Sequence, residues 1–241
     1  MIPKTIHYCW FGKKQLPREV KKCIESWKKY APDYKIIEWN ETNFDVLENE
    51  FVKSAYNSKA WAFVSDYARL KVVYDNGGIY LDTDVELLRN PDFLLNNQFY
   101  IGVQQLGKYV TTGLGFGAEK HNNTVLRLMQ QYENISFSEA EKEKVACPYL
   151  NMKVFEEDGY SYQNKIWRKG EIVIYPCEYF DPIAPASEDL LCDESVSIHH
   201  YSASWEKKGK VVERRIINFL GQKRINKMKK IMKFSRMVKW L

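Results

Sequence analysis

The 241-residue sequence has five cysteines, Cys9, Cys23, Cys147, Cys177 and Cys192, and no two of them form a CxxC pair. An odd, unpaired set excludes a disulfide frame or a zinc ribbon and reads as reduced thiols of a cytosolic protein. No stretch approaches the roughly 18 apolar residues of a membrane-spanning helix. Met1-Ile2-Pro3-Lys4-Thr5 lacks the charged region and apolar run of a signal peptide. The expected state is soluble or membrane-peripheral. There is no internal repeat, no low-complexity linker and no dinucleotide fingerprint. The spaced Gly113, Gly115 and Gly117, with Thr111 and Thr112, suit either bends in strands or a loop closely approached by an acceptor.

What is present is apolar and aromatic. Hydrophobic residues are 45% and aromatics 15% of the chain, enough for a real core and against disorder. The 16 tyrosines and 7 tryptophans suit sugar or base stacking as well as ordinary packing. Charge is unevenly placed. Residues 207–241 hold 13 Lys/Arg against the single acid Glu213, leaving 23 bases and 30 acids in residues 1–206. The sequence therefore divides into a mildly acidic globular body, residues 1–206, and a cationic appendage, residues 207–241.

Pattern and punctuation predict the elements of the body. Ile2–Cys9 reads as a strand, Pro17–Tyr30 as a helix and Tyr34–Trp39 as a strand, with a helix over Phe44–Ala55. Ser58 is expected to cap a helix that runs to Asp75 and stops at Asn76-Gly77-Gly78, followed by the strand Ile79–Leu81. Further strands are expected at 99–103, 115–118, 171–175 and 195–199, and helices at 123–132 and 143–156. This alternation predicts an α/β fold with a mostly parallel sheet.

Asp82-Thr83-Asp84 directly follows an apolar strand. On a continuing strand the two carboxylates would share one face, about 6–7 Å apart. An oxygen-only pair of this kind suits Mg²⁺ or Mn²⁺, with other ligands from water and substrate phosphates. A bare acid-x-acid also ends many strands and caps many turns. Asp66 and Arg69, three apart on the preceding helix, form either a local surface salt bridge or a site pair. In a pocket Asp66 would accept from sugar hydroxyls and Arg69 would grip a carboxylate or phosphate as a fork.

Three blocks together carry a resemblance. Ile2 to Gly12 (IPKTIHYCWFG), Ala62 to Arg69 followed by Gly77 to Asp84, and Ile198 to Trp205 (IHHYSASW) are similar to the sugar-transferase family with a DXD motif. That family includes capsular polysaccharide and initiation-type mannosyltransferase relatives and is related to the catalytic domains of large clostridial glucosylating toxins. The resemblance covers about residues 1–206. It implies a GT-A type nucleotide-sugar-binding fold, Mn²⁺ or Mg²⁺, a nucleotide-sugar donor (UDP-sugar favoured, GDP-sugar possible) and hexosyl transfer with retention to a glycan acceptor. It also implies roles by position. Trp10 stacks on the donor's base; Asp66 and Arg69 hold the sugar and its diphosphate side. Tyr80 contacts nucleotide or sugar. Asp82 and Asp84 serve ribose and metal, with Asp84 the direct ligand. Ser204 and Trp205 reach the donor from the C-terminal loop. His200 is the third metal ligand implied, with His199 on the opposite strand face, and His7 is structural. Ala146-Cys147-Pro148 stands where relatives carry Thr-Gly-Pro on the acceptor side.

In the appendage, Ile225, Met228, Ile231, Met232, Phe234, Met237, Val238 and Trp240 recur at largely helical steps among lysines and arginines. This reads as a basic amphipathic helix lying on an anionic membrane, at the inner face of the cell membrane, or else packing one face on the body. A lipid-linked glycan acceptor in surface or capsular polysaccharide synthesis would suit the first reading. The acidic body offers no groove for nucleic acid. The competing functions are a non-catalytic membrane-associated binding protein on the same fold and a toxin-like transferase acting on protein hydroxyls.

Overall fold

A computed structural model of the chain describes residues 1–185 and 187–202. The first strand, β1 (Thr5–Cys9), is followed by α1 (Arg18–Tyr30), β2 (Lys35–Trp39), α2 (Glu50–Asn57) and α3 (Trp61–Asn76). Then come β3 (Gly78–Tyr80), β4 (Val85–Leu87), a 3₁₀ turn at Asp92–Asn96, β5 (Phe99–Val103) and β6 (Val110–Ala118). α4 (Asn123–Gln130), α5 (Cys147–Glu157), β7 (Trp167–Lys169), β8 (Ile172–Tyr175), α6 (Cys177–Phe180) and β9 (Ser197–His199) complete the described part.

Seven strands form one sheet in the order β2-β1-β3-β6-β5-β8-β7. The pairs β1–β2, β1–β3 and β5–β8 are parallel, while β6 and β7 run against their neighbours. Successive strand residues go to opposite faces. Phe99, Ile101 and Val103 of β5 join a core under α2, α3, α4 and α5, whereas Tyr100 joins the core beside α1 and α6. Both faces are thus covered by helices, as a parallel sheet requires. Strands β1, β3, β5 and β8 share one direction, so their carboxyl ends gather at one edge, where open α/β sheets hold their ligands.

Two features fix the approach of β3 to β1. Gly78 has φ +113°, and a Cβ there would stand 2.8 Å from the Thr5 carbonyl and 2.9 Å from His7 Nε2. Only glycine combines that backbone with that closeness. His7 is fully buried; its Nε2 lies 2.8 Å from the Gly77 carbonyl, and its Nδ1 accepts from Trp39 Nε1 at 3.0 Å. Both ring nitrogens are occupied by one neutral tautomer, and burial lowers the imidazole pKa from its usual value.

The structure corrects several expected boundaries. Residues 44–49 are turns, because Asn43 Oδ1 and Asp45 Oδ1 take the backbone N–H groups of Asn40 and Leu47. Helix α2 begins only at Glu50, where Asn49 Oδ1 accepts from Phe51 and Val52. Ser58 closes α2 rather than opening α3, which starts from Ala60 without a side-chain cap. Gly113, Gly115 and Gly117 lie inside the nine-residue strand β6, not in a loop. Among the described residues, no helix is long and apolar enough to cross a membrane. Ser204, Trp205 and the appendage lie outside the described residues.

Candidate active site at the carboxyl edge of the sheet

The Gly77–Asp84 segment leaves β3 at this edge and turns immediately. Asp82 O accepts from Val85 N at 3.0 Å, so residues 82–84 form a turn and not a continuing strand. The two acids therefore do not share a face; each goes to a different set of partners.

Asp82 turns toward α3. Its Oδ1 and Oδ2 accept from Arg69 Nη2 at 3.0 and 3.3 Å, and Tyr80 Oη donates to Oδ1 at 2.8 Å. The same Nη2 lies 3.1 Å from Asp66 Oδ1, while Nη1 reaches Thr112 Oγ1 at 3.3 Å and Cys147 Sγ at 3.6 Å. Arg69 is 3% exposed, so the i,i+3 pair is an interior one and not a surface salt bridge. Two carboxylates against one guanidinium leave this cluster short of positive charge. Burial first, and the Asp82 carboxylate after it, raise Asp66 to about 6 against the pull of Arg69. Asp82 is raised as well, chiefly by burial and then by Asp84, again against Arg69. Arg69 Nε is buried with no hydrogen-bond partner among the described residues.

Asp84 turns the other way. The antiparallel pairing of β4 with β9 puts Val85 opposite His199, and His200 N donates to the Asp84 carbonyl at 2.9 Å. That register brings His199 Nε2 to 3.3 Å from Asp84 Oδ1, and Ser202 N donates to Oδ2 at 2.8 Å. Burial alone would raise this carboxyl, but the imidazole and the Ser202 amide outweigh it and hold Asp84 at about 2. His199 rises in turn: burial lowers it most, but the charge and hydrogen bond of Asp84, with the charges of Asp181 and Asp82, together outweigh that. Its ring packs 4.2 Å from that of Tyr201, whose hydroxyl donates to Asp181.

The structure thus brings Asp66, Arg69, Tyr80 and Asp82 together and sets Asp84 beside them with a different partner. It does not bring in His200: that ring lies exposed, with Nε2 2.8 Å from Glu86. The alternation expected on the strand is real, but its sense is reversed, and His199 faces the acidic turn. Tyr80 is only 1% exposed, so it acts on Asp82 rather than presenting a surface of its own. Trp10 follows the end of β1 as expected, half-buried, with Nε1 donating to the Lys14 carbonyl at 2.6 Å.

Sequence reasoning missed Thr112 as an Arg69 partner, Cys147 as its neighbour and Asn151, whose Oδ1 accepts from Thr112 N at 2.9 Å. The Ala146-Cys147-Pro148 block was the available signal, since it stands at the first turn of α5. Gly113 has a spatial role: a Cβ there would stand 3.1 Å from Asp82 Oδ2 and 3.5 Å from Arg69 Nη1. Glycine keeps the space above the cluster open.

The donor set fits a hard divalent ion at Asp84. An ionised carboxylate beside an imidazole nitrogen is suitable for Mn²⁺ or Mg²⁺, which take few protein ligands and keep water or phosphate oxygens. Among the described residues no three His, Cys, Asp or Glu side chains gather as a metal-sized cluster. Asp82 is held by Arg69 and Tyr80 instead.

Part of the chain resembles known proteins. Residues 17–100 match the family model described as glycosyltransferase sugar-binding region containing DXD motif. An uncharacterised glycosyltransferase of Acanthamoeba polyphaga mimivirus is 30% identical over 120 residues, 47% of this chain and 48% of that protein. The chain thus spans about half the length of this curated relative. Among solved structures, the PaToxG glycosyltransferase superposes with a TM-score of 0.50 at 17% identity, covering 65% of this chain and 70% of that one. The galactosyltransferase LgtC, solved with donor and acceptor sugar analogues, gives a TM-score of 0.47 at 11% identity over 87% and 94% of the two chains. The PaToxG likeness supports the GT-A type fold. Residues 17–100, which carry Asp66, Arg69, Asp82 and Asp84, are the part of the chain that matches the model of DXD-containing sugar transferases.

Proposed function

We propose that the protein is a metal-dependent glycosyltransferase that moves a hexose from a nucleotide sugar, UDP-sugar in preference to GDP-sugar, to a glycan acceptor. The observation that carries this reading is the division of the acidic turn: Asp82 joins the buried Arg69–Asp66 pair, while Asp84 stays ionised beside His199. A cation bound at Asp84 and His199 would act as Lewis acid toward a diphosphate leaving group.

The chain's own residues divide the remaining work. Arg69 is a fixed cation with five donors, of which Nε is unspent among the described residues. It suits the negative charge that grows on a departing diphosphate, and its position costs no reorganisation during reaction. Asp66, poised near the pH at which it exchanges a proton, accepts from a sugar hydroxyl. Asp82 orients Arg69 and receives the Tyr80 hydroxyl. The acceptor hydroxyl attacks from the face that the diphosphate leaves, which gives retention; no carboxylate is assigned as a covalent nucleophile. Trp10 is proposed as the base-side wall, and Ser204 and Trp205 as donor contacts from beyond the described residues.

We also keep two proposals on the chain as a whole. The division into a transferase body, residues 1–206, and a membrane-associating appendage, residues 207–241, rests on the opposite charge of the two parts. A lipid-linked glycan at the inner membrane face, in surface polysaccharide synthesis, suits that arrangement. Co-sedimentation with anionic vesicles checks it: the full chain should pellet and residues 1–206 should not. Release of nucleoside diphosphate from UDP-sugars, with and without Mn²⁺, tests the enzymatic reading. Metal-stimulated release is expected, and its absence across UDP- and GDP-hexoses would leave the non-catalytic alternative.

A further inference from the structure

The reaction just proposed needs an acceptor, and nothing in the site so far described holds one. The carboxyl edge continues past Thr111 and Cys147 into a group of side chains that the donor chemistry does not use. Strand β6 begins at Val110, directly after the turn that joins it to β5, and Tyr109 O closes that turn by accepting from Gln104 N at 2.9 Å. The first turn of α5 stands against the same strand start. Cys147 Sγ lies 3.4 Å from Thr111 Oγ1 and 3.6 Å from Arg69 Nη1, and Asn151 Oδ1 holds Thr112 N. Two residues beyond Cys147, Tyr149 is 47% exposed, and its ring meets Tyr109 edge-on with centroids 5.1 Å apart. Tyr162, 37% exposed, lies with its ring 5.1 Å from Lys108 Nζ, and that ammonium also reaches Cys177 Sγ at 3.6 Å.

This is a costly arrangement for bare surface. Aromatic faces are left in water beside the start of α5, whose Cys147 meets a buried guanidinium, and a lysine is held by a thiol and a ring rather than by a carboxylate. The rings are braced by each other, so little side-chain entropy is lost when a ligand settles on them. Tyrosine offers a flat apolar face to the C–H side of a pyranose and a hydroxyl to its edge. An ammonium donates to ring oxygens and hydroxyls. A peptide acceptor would call instead for an extended groove or an exposed strand edge, and β6 is an inner strand paired on both sides.

We infer that Tyr109 and Tyr149, with Lys108 and Tyr162 at the rim, form the acceptor platform, and that its occupant is a pyranoside rather than a protein side chain. The inference rests on the transferase reading for its place in a reaction, and on the aromatic pair alone for its ligand class. Thr111 of β6, two residues past Tyr109, meets Cys147, and Cys147 meets Arg69, so the platform and the donor cluster share the start of β6.

The test uses the full chain and methyl pyranosides of glucose, galactose, mannose and N-acetylglucosamine, observed by saturation-transfer NMR. At least one sugar should show saturation strongest on the protons of its apolar face. Tyr149→Ala should weaken that signal at least fivefold and Tyr109→Ala should weaken it too, whereas Tyr149→Trp should keep it; thermal midpoints of the variants check the fold. Equal signals from wild type and Tyr149→Ala would overturn the platform. So would the absence of any saccharide signal in a protein that glycosylates serine or threonine peptides. Metal-stimulated donor hydrolysis by the wild type judges the parent reading separately. Tyr149-dependent sugar binding without hydrolysis would uphold the platform and sink the transferase. Hydrolysis without sugar binding would do the reverse.

Discussion

Asp82 and Asp84 are two residues apart and have opposite surroundings. Asp82 lies among Arg69, Tyr80 and a second carboxylate, and its pKa is raised mainly because burial and acid crowding outweigh one guanidinium. Asp84 meets an imidazole and a backbone amide, and it is held at about 2. A turn at residue 83 and the β4–β9 register cause the difference. Two titratable groups pushed apart in this way are suited to separate tasks. One organises a buried cation, while the other keeps its charge, as the proposed metal residue must.

The comparison is broken most directly at Asp84. Asp84→Ala should lower metal-stimulated nucleoside diphosphate release by roughly 10³-fold, the several kcal/mol a Lewis acid supplies. A loss under tenfold would mean that Asp84 is not the metal's residue. On the other side, Arg69→Met leaves two buried carboxylates unpaired. Breaking such a cluster costs about 3–5 kcal/mol, to be read as a shift in the urea midpoint. An unchanged midpoint would show that the acids are already neutral without Arg69.

Smaller effects sharpen the contrast. His199→Ala should weaken Mn²⁺ binding, measured by titration calorimetry, by roughly the 10–100-fold typical of lost support at a metal site. His200→Ala should change it less than twofold, since that ring faces Glu86; the opposite order would restore His200 as ligand. The weakest effect is on pH dependence. Asp66 binds its proton more tightly folded, at about 6, than at the ordinary value of 3.8. The folded state therefore gains stability from this group as pH falls through 6 toward 3.8. Asp66→Asn should remove that contribution from a stability–pH curve. His7, lowered by burial, acts in the opposite sense, so its stabilisation is lost as pH falls below 6.5. An unaltered curve in Asp66→Asn would show that Asp66 binds its proton equally in the folded and unfolded states.

Much of the frame was legible because it depends on local rules. The apolar runs of β1 and β5, the stop at Asn76-Gly77-Gly78 and the helix after Pro17 stand where propensity and turn chemistry put them. Short elements escaped. β4 and β7 have three residues each and owe their existence to their partners, β9 and β8. The start of α2 moved because Asn and Asp side chains competed for backbone N–H groups, a contest that composition alone does not decide.

The same distinction runs through the site. Sequence by itself determined which charged groups reach the edge, since Asp66 and Arg69 share a helical face and Asp82 and Asp84 must follow the strand that ends at Tyr80. It also placed glycines at 77 and 78, where the structure leaves a Cβ no room. Only the tertiary structure decided how the roles divide. Histidines at 199 and 200 are equivalent in a sequence, because adjacent strand residues differ only in the face they occupy. Which face meets Asp84 depends on the pairing of β4 with a strand more than a hundred residues away. The placement of Cys147 and Thr112 beside Arg69, and of Tyr109 against Tyr149, is likewise a long-range contact, set by packing and not by spacing along the chain.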